Sequence, residues 1–246
     1  MSSYYESDRA VAEYLLFHYG EDDLRMPWAF GPRDGAVFPA RCVFECLRRE
    51  LLPAAARALD LGCAVGRATF ELARACGEVI GVDFSRRFIA AANRLRREGS
   101  LAFEVLVEGE TSVRAVARVP AGVDPARVGF EAGDALDLRP DLGDFDVVLA
   151  ANLLDRVPRP RGLLQACDRL VRPGGQLILT SPYTWLEEYT PREEWLGRGG
   201  RRTSEVLAAF LPGFRLVHRG DLPFVLREHG RKFQWSVAEA TVWRRR

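Results

Sequence analysis

The sequence predicts an α/β protein built on a mainly parallel sheet with helices on both faces, and three observations lead there. From Ala58 onward, short apolar runs alternate with small-residue turns and helical segments, the pattern of repeated βαβ units. That alternation implies parallel strands covered on both sides. A chain of 246 residues, 48% hydrophobic and 28% charged, also carries enough apolar material for a sizeable core. One large domain with appendages accounts for the length better than two small ones.

Taken in order, the first element is an amphipathic helix from about 8 to 19, with Val11, Ala12, Leu15, Leu16 and Tyr19 on one stripe. Ser7 can cap its start and Gly20 lies beyond its end. The loop DDLRMPWAFGPRDGAVFP follows, and its Trp28, Phe30 and Phe38 must pack on something, so it reads as an ordered cover. A second helix is expected from about 39 to 52, with Pro39 in its first turn. Residues 1–52 are therefore assigned to an N-terminal helical cover or lid, and 53–246 to the main domain.

Within the main domain, strands are expected near 57–61, 78–82, 127–132, 145–150 and 176–181, with helices near 66–76, 85–98 and 160–171. Residues 101–119 alternate apolar and polar around Gly109-Glu110, which reads as an inserted β-hairpin extending the domain's edge. A helix near 203–211 and strands near 214–220 and 232–243 close the chain, the last two as antiparallel additions that bring the sheet to seven strands.

Charge excludes some functions. Lys plus Arg number 35 against 34 Asp plus Glu, a formal net charge of +1, so no global field draws the protein to nucleic acid or to a membrane. The basic runs at 198–202 and the C-terminus read as solvated faces. A small-molecule substrate is expected. The five cysteines at 42, 46, 63, 76 and 167 lack CxxC pairs or neighbouring histidines, which points to buried thiols and no metal site. No apolar stretch approaches the roughly 18 residues of a membrane span, and the polar start MSSYYESDR does not resemble a signal peptide. A cytoplasmic location is expected.

The segment ALDLGCAVGRATFELA carries the most chemistry. A strand ends at Asp60, the small residues Gly62, Ala64 and Gly66 follow, and a helix begins. Only small residues let backbone approach a ligand closely at such a turn. The spacing differs from the dinucleotide GxGxxG and resembles the first motif of class I methyltransferases, DxGxGxG, with Ala64 at the middle glycine. Asp83 ends the next strand some twenty residues on, where a carboxylate can accept from ribose hydroxyls, and Ser85 can cap the following helix in its place. Asp134 and Ala135 resemble the methyltransferase position that meets adenine, and Asn152 begins the lip facing the methyl group. Cys63 and Phe84 flank these positions. The resemblance implies a Rossmann-like class I methyltransferase with S-adenosylmethionine as cofactor and S-adenosylhomocysteine as product.

Many amino-group methyltransferases of nucleic acids and proteins carry (D/N)PP(Y/F) after the fourth strand, where this chain has Asn152-Leu153-Leu154-Asp155. Ser181-Pro182-Tyr183 follows the fifth strand and is no displaced copy. Across nearly its whole length the chain resembles the 4-mercaptohistidine N1-methyltransferases, which also form the C-terminal domain of ovothiol-synthesising enzymes. The likeness is carried by residues 4–20, 26–34, 60–72, 181–197 and 227–243. It implies methyl transfer to the imidazole nitrogen of 5-thiohistidine, giving ovothiol A, and functional pairing with a sulfoxide synthase. An electron-rich mercaptoimidazole needs alignment and desolvation more than a strong base, and no base is assigned.

A histidine-like acceptor needs a flat wall, for which Tyr4, Tyr5, Tyr14, Tyr183, Trp185, Phe233 and Trp235 form the pool, with Asn152 at the lip. Its carboxylate needs a partner such as Arg33 or Arg231, with Arg9 and Lys232 as further candidates. Another thiol or imidazole metabolite, a non-catalytic binding role and any oligomeric state remain open at this stage.

Overall fold

The computed structural model describes residues 3–246. Five parallel strands form its centre: β1 (Arg57–Leu61), β2 (Glu78–Asp83), β5 (Val128–Ala132), β6 (Phe145–Ala151) and β7 (Val171–Ser181). Strands β8 (Phe214–His229) and β9 (Lys232–Arg245) pair with each other antiparallel, and β9 adds antiparallel to β7. The sheet order is β5-β2-β1-β6-β7-β9-β8, seven strands and mostly parallel, as the sequence predicts.

Because strand side chains alternate in direction, the sheet divides the core in two. Ala58, Val147 and Leu149 face one cluster, and Leu59, Leu61, Val148 and Ala150 face the other. Helices α4 (Arg67–Leu72) and α5 (Arg86–Glu98) cover the first face, and α6 (Pro160–Leu170) covers the second. Ser85 caps α5 by accepting from the Phe88 amide, and Gly99 ends it in a left-handed conformation, φ 74°. Ser7 caps α1 (Asp8–Tyr19) in the same way, through Ala10 N–H.

The structure revises several boundaries. The helix expected over 39–52 is α3 (Phe38–Phe44), shorter because a tertiary contact takes over: buried Gln176 accepts from Arg48 N–H at 2.9 Å and donates to Arg48 C=O at 3.0 Å. Likewise α4 stops at Leu72 instead of 76, and the helix expected over 203–211 is α7 (Thr203–Val206) followed by a 3-10 turn to Phe210. Strand β8 runs to His229, nine residues beyond the expected 220, with Pro223 inside it. An edge strand has one side without ladder bonds, so proline is tolerated there.

The hairpin, β3 (Ser100–Glu108) with β4 (Thr111–Arg118), pairs with no strand of the main sheet. It buries Leu101, Phe103, Val105, Ala115 and Ala117 against α1 and its surroundings. The N-terminal segment is also more than a cover. Ala10, Leu15, Leu16, Phe17, Phe38 and Cys42 belong to the same buried cluster as Val147, Leu149 and Ile178 of the sheet. The packing shows no division at residue 52.

Candidate functional site

A cavity of about 540 Å³ opens at the carboxyl ends of all five parallel strands, lined by Asp60, Asp83, Gly133-Asp134, Ala151-Asn152 and Pro182. Open α/β sheets bind ligands there because the loops leaving those ends diverge.

The turn after β1 shapes its floor. Gly62, Ala64 and Gly66 take left-handed backbone, φ 73°, 47° and 89°, so the chain wraps tightly before α4. Gly62 and Cys63 N–H both donate to Val82 C=O, at 2.8 and 3.1 Å, pinning the turn to β2. A Cβ at Gly62 would lie 3.0 Å from Leu153 Cδ1. Gly66 does not line the cavity; a Cβ there would lie 2.4 Å from Phe130 Cζ, so it permits close packing of α4 on the sheet.

Two carboxylates stiffen the floor. Asp60 Oδ2 accepts from Thr69 Oγ1 at 2.7 Å, and its burial raises the carboxyl to about 7. Asp83 accepts from Ala64 N–H at 2.9 Å and Ser85 N–H at 2.8 Å, tying the β1 and β2 loops together; burial raises it to about 6. With Ser85 serving as the α5 cap, Asp83 is not consumed by helix capping. Asp134 Oδ1 accepts from Leu136 N–H at 2.8 Å, with Ala135 buried beside it. Phe84 stands 51% exposed at the rim. Asn152 is held at φ 51°, its N–H donating to Thr180 C=O at 2.8 Å and its Oδ1 accepting from Thr180 Oγ1 at 3.0 Å. Such left-handed non-glycine backbone persists only where its surroundings enforce it.

The roof comes from the N-terminal segment and the loop after β7. Tyr5 packs edge-on against Tyr14 at 6.0 Å and lies 6.2 Å from Tyr189. Tyr14 lies 4.7 Å from Phe88, and all three phenols are pushed up by burial. Tyr4 donates to Glu13, and Arg9 reaches the same carboxylate at 2.8 Å. His18 is buried, accepts from Arg67 N–H through Nδ1 at 3.3 Å, and is depressed to about 3 by burial and the Arg67 charge. Tyr19 Oη donates to Val65 C=O at 2.8 Å, so α1 directly braces the β1 turn.

Of the expected acceptor residues, Tyr4, Tyr5, Tyr14, Asn152 and Arg9 line the cavity. The others stand elsewhere. Tyr183 donates to Glu239 Oε2 at 2.6 Å, and Trp185 donates to Thr203 Oγ1 while stacking on Trp195. Arg33 is half-exposed beside Asp23, Arg231 lies over the Trp28 ring, and Lys232 pairs with Glu228. Phe233 and Trp235 sit on β9 opposite Arg227 and Val225, with Trp235 55% exposed. The alternation of β9 turns Gln234 and Ser236 to the cavity instead. The sequence reading missed Tyr189, Arg156, Leu153, Glu228 and His18, which also line it. His18 alone had a signal, four residues beyond Tyr14 on one helix face; the rest depend on the path of loops.

Among the described residues no group of three or more His, Cys, Asp or Glu is arranged to hold a metal ion, and no helix is long and apolar enough to cross a membrane. All five cysteines are buried.

Residues 59–177 match the sequence family described as a methyltransferase domain. The matched segment holds the β1 turn, Asp83, Asp134 and Asn152. Over 154 residues the chain is 30% identical to the ubiquinone biosynthesis O-methyltransferase of Methylococcus capsulatus, a match spanning 63% of this chain and 54% of that enzyme. The chain thus spans about half the length of that relative. Among solved structures, a SAM-dependent methyltransferase from Methanosarcina mazei superposes with TM-score 0.54 at 19% identity, over 80% of this chain and 95% of that one. The cyclase SpnF superposes with TM-score 0.57 at 18% identity, over 97% and 93%. These likenesses are of fold, and a fold does not dictate a reaction.

Proposed function

We propose that the protein transfers the methyl group of S-adenosylmethionine to the imidazole nitrogen of 5-thiohistidine, producing ovothiol A. The observation that carries this reading is a convergence. Four segments outside residues 59–177 carry the family resemblance, and three of them contribute to the same cavity: Tyr4, Tyr5 and Tyr14 from 4–20, Tyr189 from 181–197, and Glu228 and Gln234 from 227–243. Segments so far apart in sequence meet where an acceptor would be held over the cofactor's methyl group.

The floor suits the cofactor. Left-handed Gly62 leaves room that a Cβ would fill, Asp83 and Asp134 are acceptors placed for ribose hydroxyls and an adenine amine, and Phe84 and Ala135 offer apolar surface for the base. Cys63 and Ala64 line the same floor, and Asn152 stands at the lip between cofactor and acceptor. When bound, S-adenosylmethionine supplies an electrophilic methyl group. The chain's own part is orientation and exclusion of water: Tyr5, Tyr14 and Tyr189 wall the acceptor ring, and their phenols, pushed up by desolvation, stay protonated. Depressed to about 3, His18 is neutral and a weak base, which suits an acceptor already electron-rich.

Incubation with S-adenosylmethionine and 5-thiohistidine, followed by NMR of the product, tests the reading. Methylation of the ring nitrogen is expected, and absence of methylated product overturns it. A second reading, O-methylation, is favoured by the name of the relatives, and turnover of a catechol in the same assay would support it. A non-catalytic role predicts no product with any acceptor. The proposal also includes a cytoplasmic location and functional pairing with a sulfoxide synthase.

A further inference from the structure

We infer that Arg156 binds the carboxylate of the methyl acceptor and so selects a free amino acid over a neutral or decarboxylated analogue. This rests on the proposed acceptor and adds the residue that would recognise its acidic end. The residues expected for that task do not reach the cavity: Arg33 is half-exposed near Asp23, and Arg231 lies over Trp28. Among the described residues, Arg9 and Arg156 are the arginines in the lining. Arg9 directs its Nε to Glu13 at 2.8 Å, and its side chain is 56% exposed.

Arg156 is held differently. Its Nη1 donates to Asp155 C=O at 3.0 Å, Asp155 Oδ2 at 2.9 Å and Thr184 C=O at 2.8 Å. Its guanidinium also lies over the Tyr189 ring, 5.0 Å from the centroid. Asp155 is itself fully buried and accepts from Ser181 Oγ at 3.0 Å, so the anchor is rigid. With three acceptors gathered on Nη1, none of these bonds uses the Nε–H and Nη2–H edge. That edge has the spacing of a carboxylate's two oxygens. One guanidinium then serves two carboxylates, Asp155 on one edge and the ligand on the other, with little side-chain entropy left to lose on binding.

The location fits the task. Arg156 follows Asn152 by four residues at the end of β6, and Tyr189 joins it to the ring wall formed by Tyr5 and Tyr14. An amino acid bound there would place its ring against the tyrosines and its carboxylate at the guanidinium. A phenolic acceptor has nothing to offer that edge.

The experiment is calorimetry on protein saturated with S-adenosylhomocysteine, titrated with 5-thiohistidine and with 5-thiohistamine, which lacks the carboxylate. The wild type is expected to prefer the acid by about 10- to 150-fold, the range for a hydrogen bond to a charged group. In Arg156→Gln the preference should fall below about threefold, with S-adenosylhomocysteine affinity unchanged, and Arg156→Lys should restore part of it. Because Arg156→Gln leaves Asp155 buried without its partner, the double variant Asp155→Asn/Arg156→Gln is measured beside it. No preference in the wild type, or a full preference surviving in either variant, overturns the role of Arg156. If the acid binds with the expected preference yet is not methylated, the proposed reaction falls while the carboxylate subsite stands. Binding of neither compound overturns both.

Discussion

Asp83 shows how much of the site rests on single side chains. It already accepts two backbone N–H bonds, and an ionised carboxylate has about four acceptor positions, so capacity remains for a diol. Asp83→Ala is expected to weaken S-adenosylhomocysteine by about 1.5–3 kcal/mol in calorimetry, with an unchanged circular dichroism spectrum. Its carboxyl sits near 6, and hydroxyl donors favour the ionised form, so wild-type affinity should fall as pH drops through about 6. A flat profile would remove Asp83 from the ribose site. Gly62→Val places a β-branched side chain at φ 73° against Leu153, and loss of cofactor binding with the fold retained is expected. Binding at wild-type strength would show that the pocket floor lies elsewhere. Asp60 acts on stability. Its folded value near 7 exceeds the ordinary 3.8, so the native state holds the proton more tightly and this contribution is lost as pH rises through about 7. Thermal denaturation of Asp60→Asn should therefore show a weaker decline between pH 5 and 8 than the wild type. An identical decline would mean that other groups set it.

Elements were legible where periodicity was strong and misjudged where a distant partner intervened. Four of the five parallel strands and α5 fall within a residue or two of expectation, because apolar runs and a serine cap are local signals, while β7 begins at Val171 instead of 176. The end of α3 is not local: Gln176, 128 residues away, captures both backbone groups of Arg48. Gln176→Leu would strand those groups in a buried setting, and a loss of about 1–3 kcal/mol in urea unfolding is expected. Unchanged stability would assign the helix end to local sequence. Strand β8 continues to His229 where 220 was expected, since alternation along an edge strand with proline resembles a loop. That extra reach is what brings Glu228 to the cavity.

At the scale of the whole molecule, the N-terminal segment decides more than access to the acceptor. If it were a lid, deletion of residues 1–38 would spare cofactor binding and remove turnover. The structure argues for a larger effect, because Leu15, Leu16 and Phe17 are part of the core and Tyr19 braces the β1 turn through Val65. Burying such side chains contributes about 1.5–3 kcal/mol each, a sum comparable with the stability of a domain. The truncated protein is expected to lose cooperative thermal unfolding and cofactor binding together. A folded truncation that binds S-adenosylhomocysteine within tenfold of the full chain would restore the detachable-lid picture.

The sequence by itself determined the parallel sheet, the tight turn from Asp60 to Gly66, and the acidic residues at the ends of successive strands. Each depends on neighbours within about twenty residues: small side chains at a turn, apolar runs, a capping serine. Tertiary structure alone decided which of the many aromatic and basic residues meet at the cavity. Tyr183 and Tyr189 lie in one segment, yet one faces Glu239 and the other the cavity. Arg156 entered the lining while Arg33 and Arg231 did not. Loop direction and hairpin length make that selection, and both are set by packing between parts of the chain more than a hundred residues apart, which no local pattern encodes.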